Sequence, residues 1–121
     1  MLILAGAMAA VLPGNASAHA ALLESTPRDG EVVATSPPEV VLRFNSRIEK
    51  RLTRAVLTGA DGRTTALAAE DRVEDSPDRV SIRLPPLPPG AHRLSYRVLA
   101  SDGHASSGQI RFAVQGGGST R

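Results

Sequence analysis

The chain of 121 residues has no cysteine, no tryptophan and one tyrosine, and its two phenylalanines bring the aromatic total to 2%. Without thiols there can be no disulfide, no thiolate metal site and no thiol catalysis, so a folded domain must be held by its core alone. With so few aromatics there are no platforms on which nucleic-acid bases could stack, and nucleic acid is excluded as a partner. Lysine is nearly absent as well: Lys50 is the only one, and the remaining basic residues are arginines. The modest cluster Arg47, Lys50, Arg51 and Arg54 reads as a solvated face, and a net charge of +2 adds little about partners. Charge of either sign is missing before Glu24. No G-x-G-x-x-G after a strand, P-loop, H-E-x-x-H or G-x-S-x-G is present.

The uncharged opening "MLILAGAMAAVLPGNASA" has an apolar segment, then Pro13-Gly14-Asn15, then the small-x-small tripeptide Ala16-Ser17-Ala18. It has the layout of a secretory signal peptide, although no Lys or Arg follows Met1, and it is too short for a membrane span of roughly 20 apolar residues. The expected organisation is therefore a signal over 1–18, one domain over 19–115 and a flexible Gly-rich tail over 116–121. Cleavage after Ala18 makes His19 the first residue of the mature chain.

After that point Pro and Gly punctuation separates short stretches of period-2 hydrophobicity. Val40, Leu42 and Phe44 alternate with polar or exposed partners, as do Val80, Ile82 and Leu84, then Leu94, Tyr96 and Val98, then Ile110, Phe112 and Val114. Turn signals stand between them, in "TPRDG", "TSPP", "GADGR", "DSPD" and "LPPLPPG". Asp61-Gly62 supplies the positive φ that a hairpin tip needs, and only 64–74 has room for a short helix. About seven strands in a domain of this size point to an all-β, immunoglobulin-like Greek-key sandwich or barrel with a small aliphatic core.

Three histidines are present, His19, His92 and His104, and Asp102 precedes the last by two places in "SDGHASSG". On an extended segment residues i and i+2 leave the same face, so Asp102 and His104 could converge on a metal. Asp-Gly is also an ordinary turn dipeptide, and a polar hairpin loop is the alternative. A free N-terminal His19 shifts the balance, because its α-amine and imidazole Nδ1 chelate one ion. The amine titrates near 7.7–8.0 in reference peptides, so its deprotonation near neutrality costs little. Two nitrogens from His19, one from His104 and an oxygen from Asp102 make an N,N,N,O set, which arranged as a square suits Cu(II). Zinc prefers a tetrahedron and calcium more oxygens.

Two long motifs, "AHAALLESTPRDGEVVATSPPEVVLRFN" and "PPGAHRLSYRVLASDGHASSGQIRFAV", resemble the CopC-type periplasmic copper-binding proteins, the copper resistance protein C family. The resemblance covers nearly all of the chain after Ala18. It implies a small Greek-key β-barrel, a Cu(II) site made by His19, Asp102 and His104, and binding rather than turnover. It also implies a periplasmic or other extracytoplasmic location, a monomer, and a membrane copper transporter of the CopD type as partner. Some members carry a second, Cu(I) site rich in methionine; here Met1 and Met8 both precede His19, and such a site is not expected. Many relatives place a glutamate in an "L.FSE" pattern, where this chain reads "LRFNSRIE" with Ser46 at that position, leaving Glu49 or Glu24 as substitutes. His92 shares parity with Leu94 and Tyr96 and reads as a structural, partly buried ring. Tyr96 and Phe112 read as core, and Arg97 as solvated or as a contact for a partner or for the Asp102 loop. Two other functions share parts of this pattern: a copper monooxygenase built on a histidine brace, and a metal-free immunoglobulin-like interaction module. Against the first, a carboxylate at Asp102 would fill a position that an oxygen-activating copper leaves open.

Overall fold

The computed structural model describes residues 20–72 and 74–116. Eight strands follow one another: β1 Leu22–Thr26, β2 Glu31–Val33, β3 Glu39–Phe44, β4 Arg54–Thr58, β5 Thr64–Glu70, β6 Arg79–Arg83, β7 Gly90–Leu99 and β8 Ala105–Val114. A short 3-10 turn, Lys50–Leu52, joins β3 to β4, and the described residues contain no α-helix. The strands form one curled sheet in the order β1-β3-β6-β5-β4-β7-β8-β2. All neighbours are antiparallel except β2, which runs parallel to β8.

The curl turns on β5. Thr64 to Ala68 pair with β4, whereas Ala69 and Glu70 pair with β6, so the strand passes from one layer of the sandwich to the other. The short helix considered for 64–74 is not formed. The Asp61-Gly62 tip explains why: Gly62 takes φ +82°, Asp61 Oδ1 accepts from the Arg63 N–H at 2.9 Å, and the closed turn sets Thr64 opposite Thr58. Once the hairpin is closed, the backbone groups of Thr64 and Thr65 go to the β4 ladder, and β-branched residues suit that state.

The period-2 residues fill the space between the layers. Val40, Leu42, Phe44, Val80, Ile82, Leu94, Val98, Ile110 and Phe112 are all at most 2% exposed, and Tyr96 is buried at their edge. Removing a side chain of this size from water contributes about 1.5–3 kcal/mol each, which is how a chain without disulfides holds together. Tyr96 meets Phe44 edge-on, with ring centroids 5.7 Å apart. The longest ladder joins β7 to β8, from Gly90 opposite Val114 to Leu99 opposite Ala105, and its closing turn carries the candidate site.

Candidate metal centre

Residues 100–104 close the β7–β8 hairpin. The Ala100 N–H donates to the His104 carbonyl at 2.9 Å and the Gly103 N–H to the Ala100 carbonyl at 2.9 Å. Gly103 sits at φ +93°, a left-handed conformation that side chains disfavour. Asp102 Oδ1 accepts from the His104 N–H at 3.0 Å, while Oδ2 stands 3.3 Å from His104 Nδ1. The two residues therefore do converge, but by a different route from the extended segment expected: the aspartate curls back onto the backbone two residues on, as Asp does in turns. "SDGH" is thus a hairpin turn, and that turn is what brings the two side chains together.

The His104 N–H is the main reason the Asp102 carboxyl is held below its ordinary range; partial desolvation opposes it and the imidazole reinforces it. The carboxylate is thus ionised at neutral pH, as a metal ligand must be. Both side chains are about half exposed, so an ion can reach them from solvent.

The turn is anchored to the segment that follows β3. The Ser101 N–H donates to the Arg47 carbonyl at 3.0 Å, Ile48 bridges Ala100, and the Glu49 N–H donates to the Leu99 carbonyl at 2.8 Å. The same segment holds the earliest described residues: Asn45 Oδ1 accepts from the Ala21 N–H at 2.8 Å, and the Asn45 N–H donates to the Ala21 carbonyl at 3.0 Å. Ala20, the first of them, is buried in the core. His19 lies outside the described residues, and so do residues 1–18 and 117–121. Among the described residues no three His, Asp or Glu side chains gather as a metal site; Asp102 and His104 are a pair.

The carboxylates considered as substitutes at Ser46 have other surroundings. Glu24 accepts from Arg43 Nε at 2.8 Å across β1 and β3. Glu49 lines an open groove with Arg47, Lys50, Arg51 and Arg72. Ser46 Oγ lies 3.4 Å from the Arg47 carbonyl. The basic cluster is also tied down: Arg51 pairs with Asp71 at 2.9 Å, Lys50 Nζ donates to the Ser76 carbonyl at 3.0 Å, and Arg54 donates to the carbonyls of Arg51 and Thr53.

His92 occupies the far end of β7, about 20 Å along the strand from the turn. It is 3% exposed, packs on Phe112 and puts Nε2 2.9 Å from the Pro88 carbonyl. A carbonyl can only accept, so the ring proton sits on Nε2 and the Nδ1 lone pair has no partner among the described residues. A structural ring is what the parity of position 92 implies, and its burial is deeper than expected.

Similarity to known proteins follows the same outline. The CopC domain family model matches residues 22–115. Copper resistance protein C of Escherichia coli is 29% identical over 120 residues, covering 93% of this chain and 94% of that protein. The copper transport protein CutJ of Bacillus subtilis is 25% identical over 104 residues; 85% of this chain is covered, but it spans only 19% of CutJ. Among solved structures, CopC from Methylosinus trichosporium OB3b superposes with a TM-score of 0.77 at 28% identity, covering 85% of this chain and all of that one. PcoC, a methionine-rich copper resistance protein from Escherichia coli, gives 0.66 at 27% identity, over 81% of this chain and all of that one.

Proposed function

The chain belongs to the CopC family, and from that premise we propose that it is an exported Cu(II)-binding protein that sequesters copper or hands it on. In this reading residues 1–18 are removed as a signal, and the domain works in the periplasm or another extracytoplasmic space as a monomer. The copper is cargo. Its ligands are the α-amine and imidazole of His19, the carboxylate of Asp102 and the imidazole of His104.

The observation that carries the proposal is the shared anchoring of two parts of the chain that are far apart in sequence. Residues 45–49 hold Ala21 on one side and the Ser101–His104 turn on the other. Residue 19 is two peptide units before Ala21, and each unit spans only 3.8 Å. The donor chemistry agrees: nitrogen and carboxylate oxygen in a four-donor set suit Cu(II), and no thioether follows His19 to favour Cu(I).

Each residue has a separate task. The His104 N–H keeps Asp102 ionised and aimed, and the carboxylate in turn faces the His104 ring. Cu(II) takes these nitrogens in their deprotonated form, in competition with protons, so affinity falls as the pH is lowered. The role is binding and not turnover, since a carboxylate ligand would fill a position that an oxygen-activating copper leaves open to a reactant. A membrane copper transporter of the CopD type is the partner such a role calls for; the similarity to a segment of the copper transport protein CutJ agrees with a part in copper transport.

The test is Cu(II) titration of two chains, one beginning at His19 and one with a single Gly before it. The first binds one Cu(II) tightly. The second loses the six-membered amine–imidazole chelate and binds far more weakly, and equal tight binding by both would overturn the amine ligation.

A further inference from the structure

The layer β5-β4-β7-β8-β2 has an outer face with a charge pattern that the copper reading does not use. Arg54 on β4 lies directly opposite Arg97 on β7, and Arg93 on β7 lies directly opposite Arg111 on β8. The alternate residues of these strands are the core, so all four arginines project outward, and all four are exposed. Directly opposed side chains on one face have Cβ atoms about 4.5–5.5 Å apart, where like charges destabilise a sheet.

Arg54 donates to the backbone carbonyls of Arg51 and Thr53, and the Asp29 carboxylate accepts from the Arg111 backbone N–H, but neither contact sets a carboxylate on a guanidinium of the two pairs. None of Arg54, Arg93, Arg97 and Arg111 forms an ion pair among the described residues. The opposite layer is built differently: Arg43 is paired with Glu24, and Arg83 with Glu70. No outward position of β4, β7 or β8 carries an acidic residue, and Glu70, at the β5 corner, is committed to Arg72 and Arg83. Among the described residues the charges are therefore unevenly placed: Arg43 and Arg83 of the opposite layer are paired, whereas β4, β7 and β8 present only cations outward and the acids of their layer, Glu31 and Glu70, stand at its edge and corner strands β2 and β5.

We propose that this face docks on an anionic lipid bilayer surface, with each opposed arginine pair engaging lipid phosphates. Two features favour a bilayer over an acidic protein. The groups are all arginine, whose planar fork grips phosphate oxygens in pairs. The positions between them carry Val56, Ser95, Ser107 and Gln109, all shorter than arginine, and a groove beside Arg111, lined by Glu31, Ala91 and Ala113, lies at one end of the face. Arg93 and Arg97 are four residues apart on β7, about 13 Å, which sets the two pairs over separate headgroups. The repulsion between paired arginines is relieved when phosphates enter between them, and the copper turn is left at the rim of the contact.

Cosedimentation of the full chain with vesicles tests this. The vesicles are phosphatidylcholine alone or phosphatidylcholine mixed with phosphatidylglycerol, and the uncharged segment before Glu24 is common to every arm. Binding to the mixed vesicles, loss of that binding at high salt, and little binding to phosphatidylcholine are expected. The quadruple variant R54S/R93S/R97S/R111S should lose about fivefold in partitioning for each arginine removed. The variant R28S/R63S/R79S/R83S, with the same change of net charge elsewhere, should keep most of its binding. Circular dichroism confirms folding of both, and the double variant R93S/R111S stands in if the quadruple variant unfolds. Equal losses in the two quadruple variants would overturn the proposal by making net charge the cause. Binding to soluble poly-glutamate with no preference for anionic vesicles would overturn it in favour of an acidic protein.

Discussion

His92 and His104 stand at opposite ends of β7, and what separates their roles is what each ring touches. His104 is exposed beside a carboxylate, whereas His92 is enclosed, with its one proton committed to the Pro88 carbonyl and its lone pair facing no donor among the described residues. A phenylalanine at position 92 keeps the packing on Phe112 and removes the orphan nitrogen, at the cost of one hydrogen bond. His92→Phe should change unfolding stability by no more than about 1 kcal/mol in urea titration, since the two effects oppose each other. Its copper stoichiometry should stay at that of the unmutated chain, and a lost copper equivalent would place His92 among the ligands. A second residue-scale expectation concerns Asp78, held below the ordinary carboxylate range chiefly by the Ser76 hydroxyl at 2.8 Å. A carboxyl depressed in the folded state stabilises fully above its unfolded value, about 3.9, and loses that contribution as pH falls through the folded value. The thermal midpoint of Asp78→Asn should therefore lie slightly below wild type from pH 5 to 7 and converge with it below about pH 4. Ser76→Ala should shrink the gap, and a gap that persists at pH 2 would mean that the charge is not its source.

At the scale of elements, strands whose residues alternate between core and water were legible, and those defined by their neighbours were not. In β3, β6, β7 and β8 the inward positions are nearly all fully buried, so the period of 2 is written in the side chains. In β5 only Leu67 and Ala69 pack against the core, and only partly, because the strand turns a corner between layers; its identity comes from pairing with β4 and β6. The parallel β2–β8 contact and the opposed arginines likewise depend on register between residues distant in sequence. The Asp102–His104 pair was legible as a spacing, while the turn that closes it needed the Ser101–Arg47 anchor to be seen. Gly108 shows register acting on a single residue. It lies opposite Tyr96, and a Cβ there would overlap the tyrosine hydroxyl and sit 2.6 Å from Cζ, so the bare backbone of β8 makes room for the ring. Gly108→Ala should destabilise by about 1–3 kcal/mol in denaturant unfolding, because the ring must leave its place against Phe44. Unchanged stability would show that the ring swings clear without loss.

For the whole molecule, the proposed copper site ties the beginning of the mature domain to the turn between its last two strands, so metal binding and folding should be one equilibrium. The β7–β8 turn is in place only when β7, β8 and residues 45–49 are assembled, and Ala21 is held only when Asn45 is. An unfolded chain can offer His19 as a local chelate but cannot bring Asp102 and His104 to the same ion, so Cu(II) binds the folded state more tightly. At a free Cu(II) concentration of a hundred times Kd, binding confined to the folded state adds about 2.7 kcal/mol. In a domain of this size each kcal/mol moves the thermal midpoint by about 4–8 °C, so the chain beginning at His19 should rise by at most roughly 10–20 °C, less whatever the His19 chelate of the unfolded chain takes back. Chelation with EDTA should return the midpoint to its starting value. His104→Ala should keep the copper-free midpoint, because the ring is exposed, and lose most of the rise, because only the His19 chelate remains and it is available to folded and unfolded chains alike. A full rise in His104→Ala, with the copper-free midpoint unchanged, would locate the copper elsewhere on the fold and overturn the ligand set, while leaving the family and its β-sandwich as they stand.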